Sequence, residues 1–459
     1  MRILVTVSDQ VWGGKHRYML DTIRGLRQTG HDVTTVVEQG SAMSAVLRAA
    51  GLPVIEVPPF GDSKEAAAGA LAGAARSEQP DIVCVTGRHD SAAWLASESA
   101  HELRPALVLY RHSAFPLEPG ADTDRLLERA GLVIATSREQ AERQFAATGH
   151  PGLADKVEVI TSGISAEFVN RAAAASRSSV RKELGLDSED FILAVVGRLS
   201  WEKNIAQAIE AFAQLVLEEE GMAASLLVVG DGPLLADLQK RAADLGVADS
   251  TTFVGHRDDI PEVLAAVDAV VLTSSVPETG PLALKEAMAA ARPVIATRIG
   301  GIPEFVADEV SGLLVEDTDQ LREAMRRLIL DEAFAAELGR HGRDAILTEH
   351  RLERRTEFLS WRLDLLAISA LPLDTVLAEL QWDGVRLRTE SEGGFIFVPR
   401  TSQLLPVDAP ARELLERSVA AADPMLLAAS DEPGHREFVA TLFRMGALVR
   451  RGRFDGQDR

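Results

Sequence analysis

At 459 residues the chain exceeds one ordinary core, and two or three domains of roughly 100–200 residues are expected. A hydrophobic content of 46% with 25% charged residues belongs to a folded globular protein rather than a disordered one. The net charge of −21 argues against a nucleic-acid or anionic-membrane partner, since phosphate-rich surfaces are held by accumulated Lys and Arg.

One cysteine, Cys84, leaves no internal disulfide framework and no Cys-based zinc site, and it fits the reducing cytoplasm where we expect the protein. Met1–Val7 carries no long apolar region of a secretory signal. No run approaches the roughly 20 apolar residues that span a bilayer, so no transmembrane segment is expected.

In chain order, Ile3–Val7, Asp32–Val37, Ile82–Val85, Leu107–Tyr110 and Val133–Thr136 read as buried strands. Amphipathic stretches such as Arg17–Thr29 and Arg138–Thr148 lie between them, and this alternation predicts βαβ units on a parallel sheet. Ser176–Val180 reads as a connector. The pattern then restarts with Phe191–Val196, Ser225–Val229, Thr251–Val254, Ala269–Thr273 and Pro293–Ala296. His350–Ala367 reads as a long helix, broken by Ala370-Leu371-Pro372. Beyond it, Val385–Thr389 and Phe395–Pro399 alternate like a hairpin around Glu392-Gly393-Gly394, with helical patterns at Ala409–Ala422 and Gly434–Gly446. The expected architecture is α/β, with two doubly wound Rossmann-like domains (1–175 and 176–350), a crossing helix (351–370) and a small C-terminal α+β, winged-helix-like domain (371–459).

Three segments of the second block carry chemistry. Gly197-Arg198-Leu199-Ser200-Trp201-Glu202-Lys203-Asn204 follows a strand, where a parallel sheet faces its ligand crevice. Arg198 and Lys203 could hold a diphosphate there, one as a fork and one as a point charge. As an isolated pair they read first as ordinary surface cations. Gly230-Asp231-Gly232-Pro233 is a tight strand-to-helix turn, open to a ligand or simply a turn.

The third segment is Pro277-Glu278-Thr279-Gly280-Pro281-Leu282-Ala283-Leu284-Lys285-Glu286-Ala287-Met288. Pro281 suits a first helical position, and free N–H groups near Leu282 and Ala283 would attract a diphosphate. Glu286, a turn further in, could accept both ribose hydroxyls, and Glu278 could accept from sugar hydroxyls. Taken alone, the stretch reads as two surface acids beside a helix N-terminus.

In combination these residues resemble the retaining GT-B glycosyltransferases of family 4, whose hallmark is two Glu at the spacing of Glu278 and Glu286 followed by Ala-Met. Phe253-Val254-Gly255-His256, Arg292-Pro293-Val294-Ile295-Ala296-Thr297, Gly300-Gly301-Ile302-Pro303-Glu304 and Ser311-Gly312-Leu313-Leu314-Val315 extend the resemblance, which covers roughly residues 1–368. It implies a metal-independent transferase with no bound cofactor, whose co-substrate is a nucleotide-diphosphate-sugar, a UDP-sugar first. It makes Arg198 and Lys203 the diphosphate clamp and gives Glu286 the ribose. Glu278 would take the transferred sugar, with Leu282 and Ala283 as backbone donors. Thr279 and Gly280 depart from the commoner glycine-then-bulky order, which bears on sugar selectivity.

On the acceptor side, Gly13 and Gly14 after the first strand resemble the family's glycine pair, and His112 its histidine near the reacting sugar. Arg198, Lys203, Glu278 and His112 are therefore the expected catalytic residues. The positions of a second histidine pair hold Cys84 and Thr86, with His89 nearby. Asp122-Thr123-Asp124 and Asp317-Thr318-Asp319 have the spacing of a metal-binding triplet, but helix capping is the expected role and no metal is predicted.

Residues from about 374 to 453 resemble peptide-binding domains of the PqqD type. The carrying residues are Gly394–Val398, Leu404–Asp408, Ala411–Leu415 and Phe438–Leu448. The resemblance implies strand addition of a leader peptide, and hence a ribosomal peptide as acceptor. The alternatives are a small-metabolite or glycan acceptor with a structural tail, or a non-catalytic sugar-nucleotide sensor.

Overall fold

The computed structural model describes residues 1–98, 103–145, 150, 152–219, 221–390, 393–428 and 433–451. The predicted turn residue Glu392 and the end of the stretch to Thr148 lie outside them.

The short apolar runs fold into two parallel sheets. The first holds β1 (Arg2–Val7), β2 (Asp32–Glu38), β3 (Val54–Val57), β4 (Ile82–Val85), β5 (Ala106–Tyr110), β6 (Ala130–Ala135) and β7 (Val157–Val159), in the order β3-β2-β1-β4-β5-β6-β7. The second holds β8 (Phe191–Val196), β9 (Ala224–Val229), β10 (Thr251–Gly255), β11 (Ala269–Leu272), β12 (Val294–Thr297) and β13 (Leu313–Val315), in the order β10-β9-β8-β11-β12-β13. Every residue of β4, β5 and β11 is buried, as expected of strands covered by helices on both faces. Strand order reverses between β1 and β4 and again between β8 and β11. The loops after these four strands therefore border the two crevices in which a doubly wound sheet binds ligands.

The chain crosses between the sheets twice at one place. Ile164 bridges to Arg351: its N–H donates to the His350 carbonyl (2.8 Å), and its carbonyl accepts from Leu352 N–H (3.0 Å). The helix Leu352–Ala370 then returns to the first domain. Its Leu359, Leu363 and Ile368 join the core of that sheet, and Ser360 meets His31 Nε2 at 2.9 Å.

The remaining chain forms a small α+β module. β14 (Leu380–Trp382) pairs antiparallel with β18 (Leu448–Arg450). β15 (Arg386–Glu390), β16 (Gly393–Val398) and β17 (Gln403–Asp408) form an antiparallel sheet, with helices over Ala409–Ala420 and Pro433–Arg444. One apolar cluster runs from Ile3, Val5 and Ile134 through Leu363 to Ile396, Leu415 and Leu442. The module is thus built onto the first domain. Arg450 and Asp364, both essentially inaccessible, form an ion pair at this junction, and Arg436 Nη1 donates to the carbonyls of Ile368 (2.8 Å) and Leu371 (2.6 Å). Asp364→Ala leaves Arg450 charged and buried without its main partner. Urea unfolding of the full chain should show a loss of roughly 3–5 kcal/mol; a loss below about 0.5 kcal/mol would contradict this account of the junction.

Two local expectations change. Ser176–Val180 is not a bare connector: Ser176 Oγ accepts from Ser179 N–H and starts a helix over Arg177–Leu184. Pro281 precedes rather than opens its helix, which spans Leu282–Ala289. Asp317 accepts from Gln320 N–H (2.8 Å) as a helix N-cap, and Asp122 and Asp124 lie in the first turn of the helix Ala121–Arg129.

Candidate active site

The loop after β8 is held in shape by neighbouring backbone. Leu199 N–H donates to the Asp231 carbonyl (2.9 Å), and Leu234 N–H to the Leu199 carbonyl (3.1 Å). A Cβ on Gly230 would fall 1.9 Å from the Gly197 carbonyl oxygen, and one on Gly232 would fall 2.4 Å from that of Leu199. The Gly-Asp-Gly turn therefore shapes the Arg198 loop by close approach of backbone to backbone. From the next strand end, Thr273 Oγ1 donates to the carbonyls of Lys203 and Asn204 (3.0 Å each).

Held this way, Lys203 and Glu278 meet. Lys203 Nζ and Ser274 Oγ each lie 2.5 Å from the same carboxylate oxygen, Glu278 Oε1. The helix Leu282–Ala289 follows with no side-chain cap and no acid in its first turn, so the N–H groups of its first turn, Leu282 and Ala283 included, lack a side-chain acceptor. Glu286 is buried in this helix, and burial with nearby Asp21 pushes its carboxyl up to about 7 against the opposing pull of Arg17.

Across the cleft, the helix Gly14–Gln28 has the same bare N-terminus. Gly13 precedes it, and a Cβ there would lie 3.1 Å from Arg198 Nη2, so the two domains touch at this point. Gly14 opens on space. The first turn carries two groups the sequence analysis passed over. Lys15 Nζ bonds Asp9 Oδ2 (2.5 Å) and Ser8 Oγ (3.2 Å). His16 is kept neutral by burial, Lys15 and Arg198. Arg17, paired with Asp21 at 3.0 Å, faces Glu286 and was also missed. Their signal was the Gly-Gly-Lys-His-Arg string, in which a loop turns into a helix with cations at its start. Gly280 completes the contact, its Cβ position 3.5 Å from that of Thr136.

His112 follows β5 and packs edge-on against Tyr18, with ring centroids 4.6 Å apart. Its Nε2 is buried and makes no hydrogen bond among the described residues. Burial, then Lys15, Arg355 and Arg111, holds the imidazole well below its ordinary pKa, hence neutral at physiological pH. Cys84 and Thr86 do not reach the cleft. Cys84 is in the core, and Thr86 Oγ1 donates to the Thr6 carbonyl (3.0 Å). His89 is exposed in the neighbouring helix.

A cavity of about 490 Å³, which His112 does not line, is bordered by Thr86, Arg111 and Ser113. Leu95, Leu109, Leu117 and Leu126 line it, with Phe115 57% exposed at its rim. Its polar groups are engaged locally: Ser91 Oγ donates to the Gly87 carbonyl (2.5 Å), Thr123 Oγ1 to that of Glu118 (2.6 Å), and Arg88 pairs with Glu118 (2.8 Å).

Residues 176–345 match the family described as Glycosyl transferases group 1, and residues 12–168 match Glycosyltransferase Family 4. The chain is 31% identical to D-inositol 3-phosphate glycosyltransferase of Stackebrandtia nassauensis over 71% of its own length and 81% of that protein. It is 32% identical to N-acetyl-alpha-D-glucosaminyl L-malate synthase of Bacillus anthracis, over 39% of this chain and 46% of that enzyme. It thus spans about half the length of several curated relatives, and most of others. The Anabaena Alr3699/HepE structure in complex with UDP and glucose superposes with a TM-score of 0.67 at 23% identity, covering 79% of this chain and 99% of that one. The GT-B fold extends over both sheets.

Proposed function

This chain belongs to the GT-B glycosyltransferases of family 4, and from that premise we propose that it moves a sugar, with retained anomeric configuration, from a nucleotide-diphosphate-sugar to an acceptor hydroxyl. One observation carries the reading. Arg198, the Lys203–Glu278 pair, Glu286 and two uncapped helix N-termini converge where both sheets reverse strand order. UDP is the expected nucleotide, since the superposed Anabaena protein is described with UDP and glucose.

In the proposed reaction the diphosphate lies between the helix starting at Leu282 and the Gly13 loop. Arg198 and the free N–H groups meet the negative charge that grows on its leaving oxygen. Glu286 accepts from the ribose. Glu278, oriented by Lys203 and Ser274, accepts from hydroxyls of the transferred sugar. Its carboxylate is already engaged, which favours attack by the acceptor on the face the diphosphate leaves, the acceptor proton passing to the departing phosphate oxygen. No carboxylate nucleophile is then required, unlike in retaining hydrolases. Neutral His112, its ring held by Tyr18, is the residue we assign to the acceptor side of the reacting sugar. Proton NMR of the product made from an α-linked UDP-sugar tests this: an α-product supports the reading, and a β-product overturns retention.

A small hydroxyl-bearing acceptor is the first reading, in keeping with the relatives named for inositol 3-phosphate and malate. A second reading, a leader-bearing peptide, is favoured by the module. Its β15 lies at a sheet edge with Arg386 and Arg388 exposed. Phe395 and Phe397 pair with these arginines across the strands, and exposed Leu404 continues the same face. A peptide added there would be fixed to the acceptor-side domain. Removing the module would expose the shared core, so the cleaner test is Arg386→Glu with Arg388→Glu. Loss of binding to a peptide encoded beside this gene supports the second reading, and unchanged affinity refutes it.

A further inference from the structure

Glu304 belongs to the donor-side domain, in the turn after β12, yet its carboxylate bonds the other domain. Oε2 accepts from Arg138 N–H (2.8 Å) and Oε1 from Glu139 N–H (2.7 Å). These are the first two residues of the helix Arg138–Gln144, whose own cap, Ser137 Oγ, is occupied with Gln140 N–H (3.1 Å). An anion from one domain thus meets the positive end of a helix in the other through two charge-assisted bonds.

The same turn is wired to the donor loop. Gly301 N–H donates to the Glu278 carbonyl (2.7 Å). A Cβ on Gly300 would lie 2.6 Å from Glu278 N, and one on Gly301 would lie 2.8 Å from Ser137 Cβ, so no slack separates the three segments. A second bridge stands alongside. Lys285, next to Glu286 and inaccessible to solvent, sends its ammonium to the Ser162 carbonyl (3.1 Å) and Ser162 Oγ (3.2 Å), and lies 3.9 Å from the ring centre of Phe305, the residue after Glu304. Two of the polar contacts between the domains are therefore tied to the donor loop.

We propose that Glu304 is a positioning residue: its carboxylate clamps the acceptor-side domain onto the donor loop and so couples closure of the cleft to the placement of Glu278. The clamp rests on the glycosyl-transfer reading only for its consequence, since the interdomain bonds exist whatever the ligand. In the clamped form the donor meets a cleft already closed. Without the clamp, donor binding must also draw the domains together, and affinity falls by the share of molecules that stand open.

Small-angle scattering and calorimetric titration with UDP on the full chain test this, using Glu304→Ala and the milder Glu304→Gln. Glu304→Ala should enlarge the radius of gyration without ligand, return it to the wild-type value at saturating UDP, and weaken UDP binding tenfold or more. Glu304→Gln, which retains one acceptor but no charge, should fall between, and it carries the test should the alanine variant fail to fold. A cap that served only local stability would lower the melting temperature and leave the unliganded radius and the UDP affinity unchanged; that result overturns the clamp. If wild type binds no UDP, the choice of UDP as the nucleotide fails on its own, and the unliganded radius still decides the clamp.

Discussion

Arg198→Ala is expected to lower kcat/KM for glycosyl transfer by roughly 100- to 1,000-fold, with most of the loss in kcat, because the charge it meets develops as the diphosphate leaves. Arg198 is a cleaner target than Lys203. Lys203 is paired with Glu278, so removing it also strands a carboxylate and mixes two effects. Arg198 instead stands against Gly13 across the cleft, and its removal takes away a fork that the Lys203 point charge does not reproduce in shape. Arg198→Lys should recover only part of the rate. Steady-state kinetics with a UDP-sugar, following either transfer or slow donor hydrolysis, supplies the measurement. A loss under about threefold, or one confined to KM, would remove Arg198 from the charge-stabilising role.

Donor binding should strengthen as pH rises through about 7, the value to which burial pushes Glu286. The ionised carboxylate is the form that accepts two ribose hydroxyls, so each pH unit below that value should weaken binding by up to about tenfold. The stability of the unliganded protein should run the other way. The folded carboxyl titrates above its ordinary 4.5, so its contribution is fully present below 4.5 and is lost as pH rises through about 7. The slope within that window is about 1.4 kcal/mol per unit. The titration should use UDP-glucose rather than UDP, whose terminal phosphate itself ionises in this range. Neutral His112 adds no slope to donor binding, but below its ordinary 6.5 it adds an opposing slope to stability, because the unfolded imidazole takes up a proton that the folded one does not. Glu286→Gln should bind weakly at every pH and show no slope. A wild-type affinity that is flat from about pH 6 to 8.5, or a slope that survives Glu286→Gln, would separate Glu286 from the ribose.

Much of this architecture was legible because parallel strands buried on both faces write themselves as apolar runs. β1, β4, β5, β8 and β11 fell close to where the runs lay. β7 was missed: Val157–Val159 is three residues long and never fully buried. The third strand of the module's three-stranded sheet, β17, was missed for another reason. Pro406 sits inside it and supplies no N–H, which is tolerated here because β17 lies at the sheet edge. The polar helix Arg177–Leu184 lacked the apolar stripe that marks most helices and passed for a connector.

The donor loop was readable for its local grammar, since acids, glycine and proline cluster at a strand-to-helix turn. What sequence spacing could not supply was the contact between domains. Gly13 meets Arg198, Arg17 faces Glu286, and Glu304 caps a helix some 165 positions earlier, all through the approach of two separately folded sheets. Lys285 is the clearest case. Its neighbours in sequence suggest only another helix residue, while its fully buried ammonium reaches the segment where the chain crosses between domains.

The account stands or falls on a nucleotide diphosphate seated between the two sheets. Thermal unfolding of the full chain with UDP, GDP, ADP and TDP, each as the free nucleotide and as its sugar, tests that claim most directly. UDP and its sugars should stabilise the protein by about 2.7 kcal/mol at a hundredfold excess over Kd, with the gain largely lost in Glu286→Gln. No stabilisation by any of the nucleotides, or stabilisation that Glu286→Gln leaves intact, would contradict it.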